Sequence, residues 1–166
     1  MNESPQPTRN FALAVFATMA ASVAGIATYD DAYQSKSISP VNLDKKNLAL
    51  DGFDPVAYFA LGKATPGKIE FNAVHEGATY QFTSVVHRDA FVETPARYLP
   101  QYGGYCAYAA SQGYKADADP KAWHVVDGRL FLNYNAVVAK SWAANPADYI
   151  KAGDANWPRV KALPAR

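Results

Sequence analysis

Two dipeptides, Glu76-Gly77 and Asp127-Gly128, constrain this chain most, because each can turn the backbone back between two β-favouring runs. Asp-Gly supplies the positive φ angles that a two-residue hairpin turn requires, and it is the strongest short hairpin signal in the sequence. Trp123 to Val126 and Arg129 to Tyr134 flank it. Ile69 to His75 and Ala78 to Thr83 flank the other turn, with Phe71, Val74, Tyr80 and Phe82 as β-favouring bulk. Leu48-Ala49-Leu50 reads as a further short strand. Helix signals lie between and after these runs. Asp54-Pro55 combines a cap with a proline at the first helical position, and Gly62 stops the short helix that follows. Thr83 or Ser84 caps a helix to Glu93 whose Val86, His87, Ala90 and Phe91 share a face, and Thr94-Pro95 opens a short turn that Pro100 ends. The C-terminal third is helical, with Val137, Val138, Ser141 and Trp142 on one stripe and a last segment from Pro146 ending around Asn156-Trp157-Pro158. Short antiparallel strands kept apart from helices predict an α+β domain with one small antiparallel sheet and flanking helices.

The first 27 residues read as a targeting segment. A polar start carrying Arg9 precedes Phe11 to Ala27, which is uncharged, mostly apolar and small-residue-rich at its end. That order describes a secretory signal peptide, with an uncleaved N-terminal anchor as the alternative. The remainder is then expected outside the cytoplasm, in the periplasm or otherwise exported, touching a membrane only through this segment. Residues 28–46 read as a polar linker, 47–158 as the folded domain and 159–166 as a C-terminal tail. The 166 residues are enough for a core without disulfide staples. A net charge of +1, without long runs of either sign, makes no electrostatic case for nucleic acid.

In that setting the single cysteine is the unusual residue. Cys106 sits in QYGGYCAYA, Gln101 to Ala109, after Gly103-Gly104 and between Tyr105 and Tyr108. Exported chains use cysteines in pairs, so a lone one suggests a reactive thiol, a metal ligand or an intermolecular bridge; the alternative is a small buried hydrophobe. If a helix runs from Tyr105 to Gln112, Cys106 lies in its first turn, where the helix dipole lowers a thiol pKa. The glycine pair permits positive φ or a close backbone approach, or makes a tight turn among bulky tyrosines. Of the three histidines, His75 ends a strand at an exposed turn, and His124 should face out if Trp123 faces the core. His87 shares a helical face with Phe91 and reads as a hydrogen-bonded core residue or a ligand. Thiolate and imidazole suit copper or zinc, yet the 19 residues between His87 and Cys106 neither favour nor forbid contact. No CxxC, HExxH, phosphate loop or serine elbow is present.

GFDPVAYF (52–59), GATYQFTSVVHRDAFVETPARYLPQYGGYCAYA (77–109) and AWHVVDGRLFLNY (122–134) are similar to the YHS-domain family, and more closely to its group of small exported bacterial proteins. The resemblance spans about residues 47–158. It implies a YHS, treble-clef-like core, extended here by a hairpin and C-terminal helices, in a family of metal-handling modules. The family's cysteines, in DPVCGM-like and FCSxxC-like segments, fall on Ala57, Thr83 and His87, so three thiols are replaced and only His87 could coordinate. Cys106 lies in the PQYGGYCA signature of the exported group, some of whose members are described as selenoproteins. Three functions stay open. The first is binding of a soft metal ion, copper or zinc, through Cys106 and His87, with Tyr105 and Tyr108 as a shell and Gly103 and Gly104 shaping the loop. The second is single-cysteine thiol redox chemistry. The third is a metal-free module binding a small ligand or protein at its tyrosine-rich surface and the Trp123 and Trp157 regions. Binding is expected ahead of catalysis.

Overall fold

A computed structural model describes residues 39–163, so the expected targeting segment, and the linker up to residue 38, lie outside the described residues. The elements are α1 (Ala57–Ala60), β1 (Lys68–His75), β2 (Ala78–Phe82), α2 (Val85–Glu93), α3 (Pro95–Tyr98), α4 (Ala107–Gln112), β3 (Asp119–Val126), β4 (Arg129–Asn133), α5 (Ala136–Ala143) and α6 (Pro146–Lys161). Two 3-10 turns, Leu50–Gly52 and Gln101–Gly104, complete the set. The chain is α+β, as expected. Among the described residues no helix is long and apolar enough to cross a membrane.

Both hairpins form where the turn dipeptides place them. Glu76 and Gly77 have φ of 48° and 80°, Asp127 and Gly128 of 50° and 72°, so both central residues of each turn are left-handed. That pair of angles matches the right-handed twist of the flanking strands. Each hairpin carries one register shift, between Lys68 and Asn72 in β1 and between Asp119 and Trp123 in β3. The expected single sheet is instead two, β1-β2 and β3-β4. Loop residues occupy the outer edges that would have joined them: Leu48 bridges Thr79 of β2, while Pro100 and Cys106 bridge Leu130 and Leu132 of β4. Leu48–Leu50 makes two isolated bridges, the second from Ala49 to Leu43, and no strand, because Leu50 and Asp51 have φ of 57° and 49° and turn away.

Between the hairpins lies the largest apolar cluster, with Tyr58, Tyr80, Phe82, Phe91, Leu130 and Leu132 all buried. Each such side chain contributes about 1.5–3 kcal/mol by leaving water. A second cluster joins Tyr102, Phe131 and Trp142, with Trp157 packed against it. The helix stripes differ from expectation at single positions. Val86 on α2 and Val137 on α5 are exposed, while Phe91, Ala139 and Trp142 are buried. In helices this short, the buried face is set by what each packs on, and apolar spacing alone is a weak guide.

The boundaries also shift. Val41 and Leu43, in the expected linker, pack on the main cluster. Asn42 N donates to Gly103 O at 2.8 Å. The domain therefore includes residues from Ser39 on. At the other end α6 continues through Pro158 to Lys161, and Val160 is wholly buried, so the expected tail begins later. Burial of Val160 offsets the amide donor that Pro158 removes from the ladder.

Candidate functional site

Asp54 is fully buried, and five donors lie within hydrogen-bond distance of its carboxylate. Its Oδ1 accepts from Val56 N at 2.8 Å and Ala57 N at 3.2 Å, closing the turn that leads into α1, which begins at Ala57, two residues later than Asp54-Pro55 predicts. Its Oδ2 accepts from Thr83 N at 2.8 Å and from Thr83 Oγ1 at 2.8 Å. His87 Nδ1 lies 2.6 Å from the same oxygen and 3.0 Å from Thr83 Oγ1. One carboxylate thus ties the start of α1, the end of β2 and the first turn of α2. Ser84 helps by capping α2, its Oγ accepting from His87 N at 3.2 Å. A carboxylate only accepts, so Nδ1 donates to it, and in the neutral ring Nε2 carries the lone pair. The His87 side chain is 15% exposed. Ala57, Thr83 and His87, read above as the positions of the family's thiols, converge here.

Cys106 does not occupy the environment that a first-turn helical thiol would have. It is the residue preceding α4, is 1% exposed, and packs with Ala109 and Ala116, flanked by Tyr108, Tyr114, Ala118 and Val138. Its Sγ reaches Asn133 Oδ1 at 3.8 Å and its N donates to Ala116 O at 2.9 Å. Burial pushes the thiol pKa up, and the backbone N–H groups of Ala109, Tyr134 and Tyr108 only partly oppose it. The expected depressed pKa is therefore corrected: desolvation of the thiolate outweighs the short helix. Cys106 and His87 hold different partners. No group of three or more His, Cys, Asp or Glu side chains able to hold a metal occurs among the described residues.

The residues around the cysteine serve the fold. Gly103 has a φ of 62°, and a Cβ there would lie 2.0 Å from Pro40 O. Segment 39–42 therefore seats directly on the glycine backbone. Tyr105 is buried, its hydroxyl donating to Ser39 O at 2.7 Å, and Lys115 Nζ donates to the same oxygen at 3.2 Å. Lys115 Nζ also stands 5.1 Å from the centre of the Tyr105 ring, and burial lowers its pKa. Gly104, φ 82°, takes Asn42 Nδ2 on its carbonyl at 3.4 Å. Tyr108 packs its ring 5.5 Å from that of Tyr149.

Around the second hairpin, Trp123 meets Tyr58 edge-on at 5.2 Å, on the core side as expected. His124 does not face water in consequence. Its ring lies 5.8 Å from Trp142, because α5 covers the opposite face of the hairpin. Nδ1 of His124 and Nε1 of Trp142 are buried without a hydrogen-bond partner. A groove of about 450 Å³ opens between β3 and α5, lined by Lys121, Trp123, His124, Ala139 and Lys140 among others. Trp157 lines a separate cleft of about 200 Å³ with Tyr80 and His75. His75 is half-buried rather than solvated, its ring edge-on to Phe91 at 5.9 Å.

Sequence reasoning found Asp54 only as a helix cap and read His124 only as facing out. The Asp-Pro cap signal was present, but the 29 to 33 residues separating Asp54 from Thr83 and His87 hid its other role. No family model, curated protein or solved structure matches the chain.

Proposed function

We propose that this chain is an exported YHS-type binding module, not an enzyme, whose ligand is something other than a metal ion. One observation carries the reading. The positions that the resemblance assigns to metal-binding thiols converge on Asp54, whose two oxygens are already engaged by five donors. A carboxylate joining the same three segments does the structural work that a metal would do there, without an open coordination position. The burial of Cys106 supports the same conclusion for the thiol, since peroxide chemistry needs a thiolate that solvent can reach and a metal needs further donors beside the sulfur, where Ala109 and Ala116 pack instead.

A second reading rests on the 2.6 Å contact between Asp54 and His87 Nδ1. A carboxylate behind an imidazole is the arrangement that aims the other ring nitrogen at a metal, so His87 Nε2 would be the ligand for copper or zinc. Equilibrium dialysis of the full chain against copper(I) and zinc, with elemental analysis, separates the two. Substoichiometric metal in the wild type, His87→Ala and Cys106→Ala is the expected result. A full equivalent lost in His87→Ala replaces the first reading with the second. A full equivalent lost in Cys106→Ala returns the metal to the thiol.

A further inference from the structure

The groove between β3 and α5 has the volume of a small-molecule site, about 450 Å³, within the range of roughly 300–1,000 Å³ typical of ligand pockets. We propose that it binds a small monocarboxylate carried on a flat apolar body, such as an aryl-alkanoate. This names the ligand class for the metal-free module and rests on that reading.

Three features of the groove select that chemistry. The first is shape. Ala139 and Ala143 stand four residues apart on α5 and Ala122 lies across from them on β3, so these walls end at a methyl group and leave room for a flat body. The second is charge. Lys121 and Lys140 line the groove from opposite elements, and no carboxylate lines it. Among the described residues neither Lys140 Nζ nor Lys121 Nζ has a hydrogen-bond or ion-pair partner, so both ammoniums are available to an anion.

The third is His124. Its Nδ1 is buried, without an acceptor or a donor, against the Trp142 ring. An N–H buried with no acceptor is among the rarest arrangements in folded proteins, whereas a bare lone pair is tolerated more readily. In the neutral ring the hydrogen therefore sits on Nε2. His124 thus brings one N–H donor to a groove that Lys121 and Lys140 also line, a set of groups that donates to an anion's lone pairs. An apolar ligand would leave all three unpaired, and a cation would meet two like charges. A small multiply charged anion such as phosphate would use the donors and leave the alanine-lined part empty.

The test is an NMR titration of the full chain, following the His124 ring and the Lys121 and Lys140 side chains, with 3-phenylpropionate, its alcohol 3-phenylpropanol and inorganic phosphate as separate probes. The carboxylate is expected to shift all three saturably, and to bind at least about tenfold more tightly than the alcohol, because only the carboxylate carries a charge for the two ammoniums. Lys121→Gln combined with Lys140→Gln should remove that preference, and Ala143→Phe, an exposed position, should fill the groove and abolish binding while the fold is kept. No saturable shift with the carboxylate overturns the proposal. So does equal binding of the alcohol, phosphate matching the carboxylate, or unchanged affinity in Ala143→Phe. Such a failure leaves the metal-free reading intact, because that reading falls only to metal uptake lost in His87→Ala or Cys106→Ala.

Discussion

Asp54→Ala should be among the most damaging substitutions the chain can receive, and its cost can be worked from the contacts. The change strands Val56 N, in a residue 3% exposed, together with Thr83 N and His87 Nδ1, while Ala57 N keeps its bond to the Asp54 backbone carbonyl at 3.2 Å. Leaving a buried donor unpaired costs about 1–3 kcal/mol, and water entering the space left by the carboxylate recovers part of that sum. Loss of a buried charged partner costs about 3–5 kcal/mol in total, and we take that range. Against a domain stability of about 5–15 kcal/mol this is a large fraction. Urea unfolding followed by circular dichroism should show the midpoint falling by about 2–3 M at an unchanged slope, with a slope near 1.5 kcal/mol/M. Asp54→Asn should lie between, since the amide keeps one acceptor but turns an NH₂ towards donors. The double variant Asp54→Ala/His87→Ala should fall short of the summed single losses by about 0.5–3 kcal/mol, because both remove the same contact. A loss below about 1 kcal/mol in Asp54→Ala would refute the hub, since that is no more than one ordinary cap is worth.

Three further outcomes follow from the packing. Cys106 should resist thiol reagents in the native protein and react only as fast as the chain opens, so that labelling accelerates with urea; rapid labelling without denaturant would show the thiol to be open. Stability should fall at alkaline pH. Burial, then the charge of Glu76, pushes the Tyr80 phenol up to about 12 from 10.0, and burial first of all raises Tyr58 and Tyr102 further and the Cys106 thiol above 9.0. Raised folded-state values mean that the fold retains these protons, so the contribution of these four groups is level below pH 9 and declines as pH rises from there through 12. Tyrosinate absorbance showing every phenol ionising near 10 would contradict this. Gly103→Ala should cost more than Gly104→Ala, although both have positive φ, which alone is worth about 1–3 kcal/mol. Only at Gly103 would the new methyl meet backbone, Pro40 O at 2.0 Å, whereas at Gly104 the nearest atom is 3.4 Å away. Equal melting temperatures for the two variants would show that segment 39–42 is not seated there.

Local chemistry carried much of this structure within the sequence. Asp127-Gly128 and Glu76-Gly77 determined two hairpins because positive φ at both turn positions is a property of a few residues. Ser84 and Asp54 marked helix starts because an N-cap bond spans two or three residues. What spans long separations was not legible: that the two hairpins stay apart as separate sheets, that Pro40 rests on Gly103, that Thr83 and His87 return to Asp54, and that α5 covers His124. The lone cysteine shows the division most clearly. Its position beside a helix start, visible in the sequence, argued for a lowered pKa, but the solvent excluded by Ala109, Ala116 and their neighbours decided the opposite. A helix end acts on a charge within one turn, whereas desolvation is a sum over every atom that packs around it, and only the tertiary fold supplies that sum.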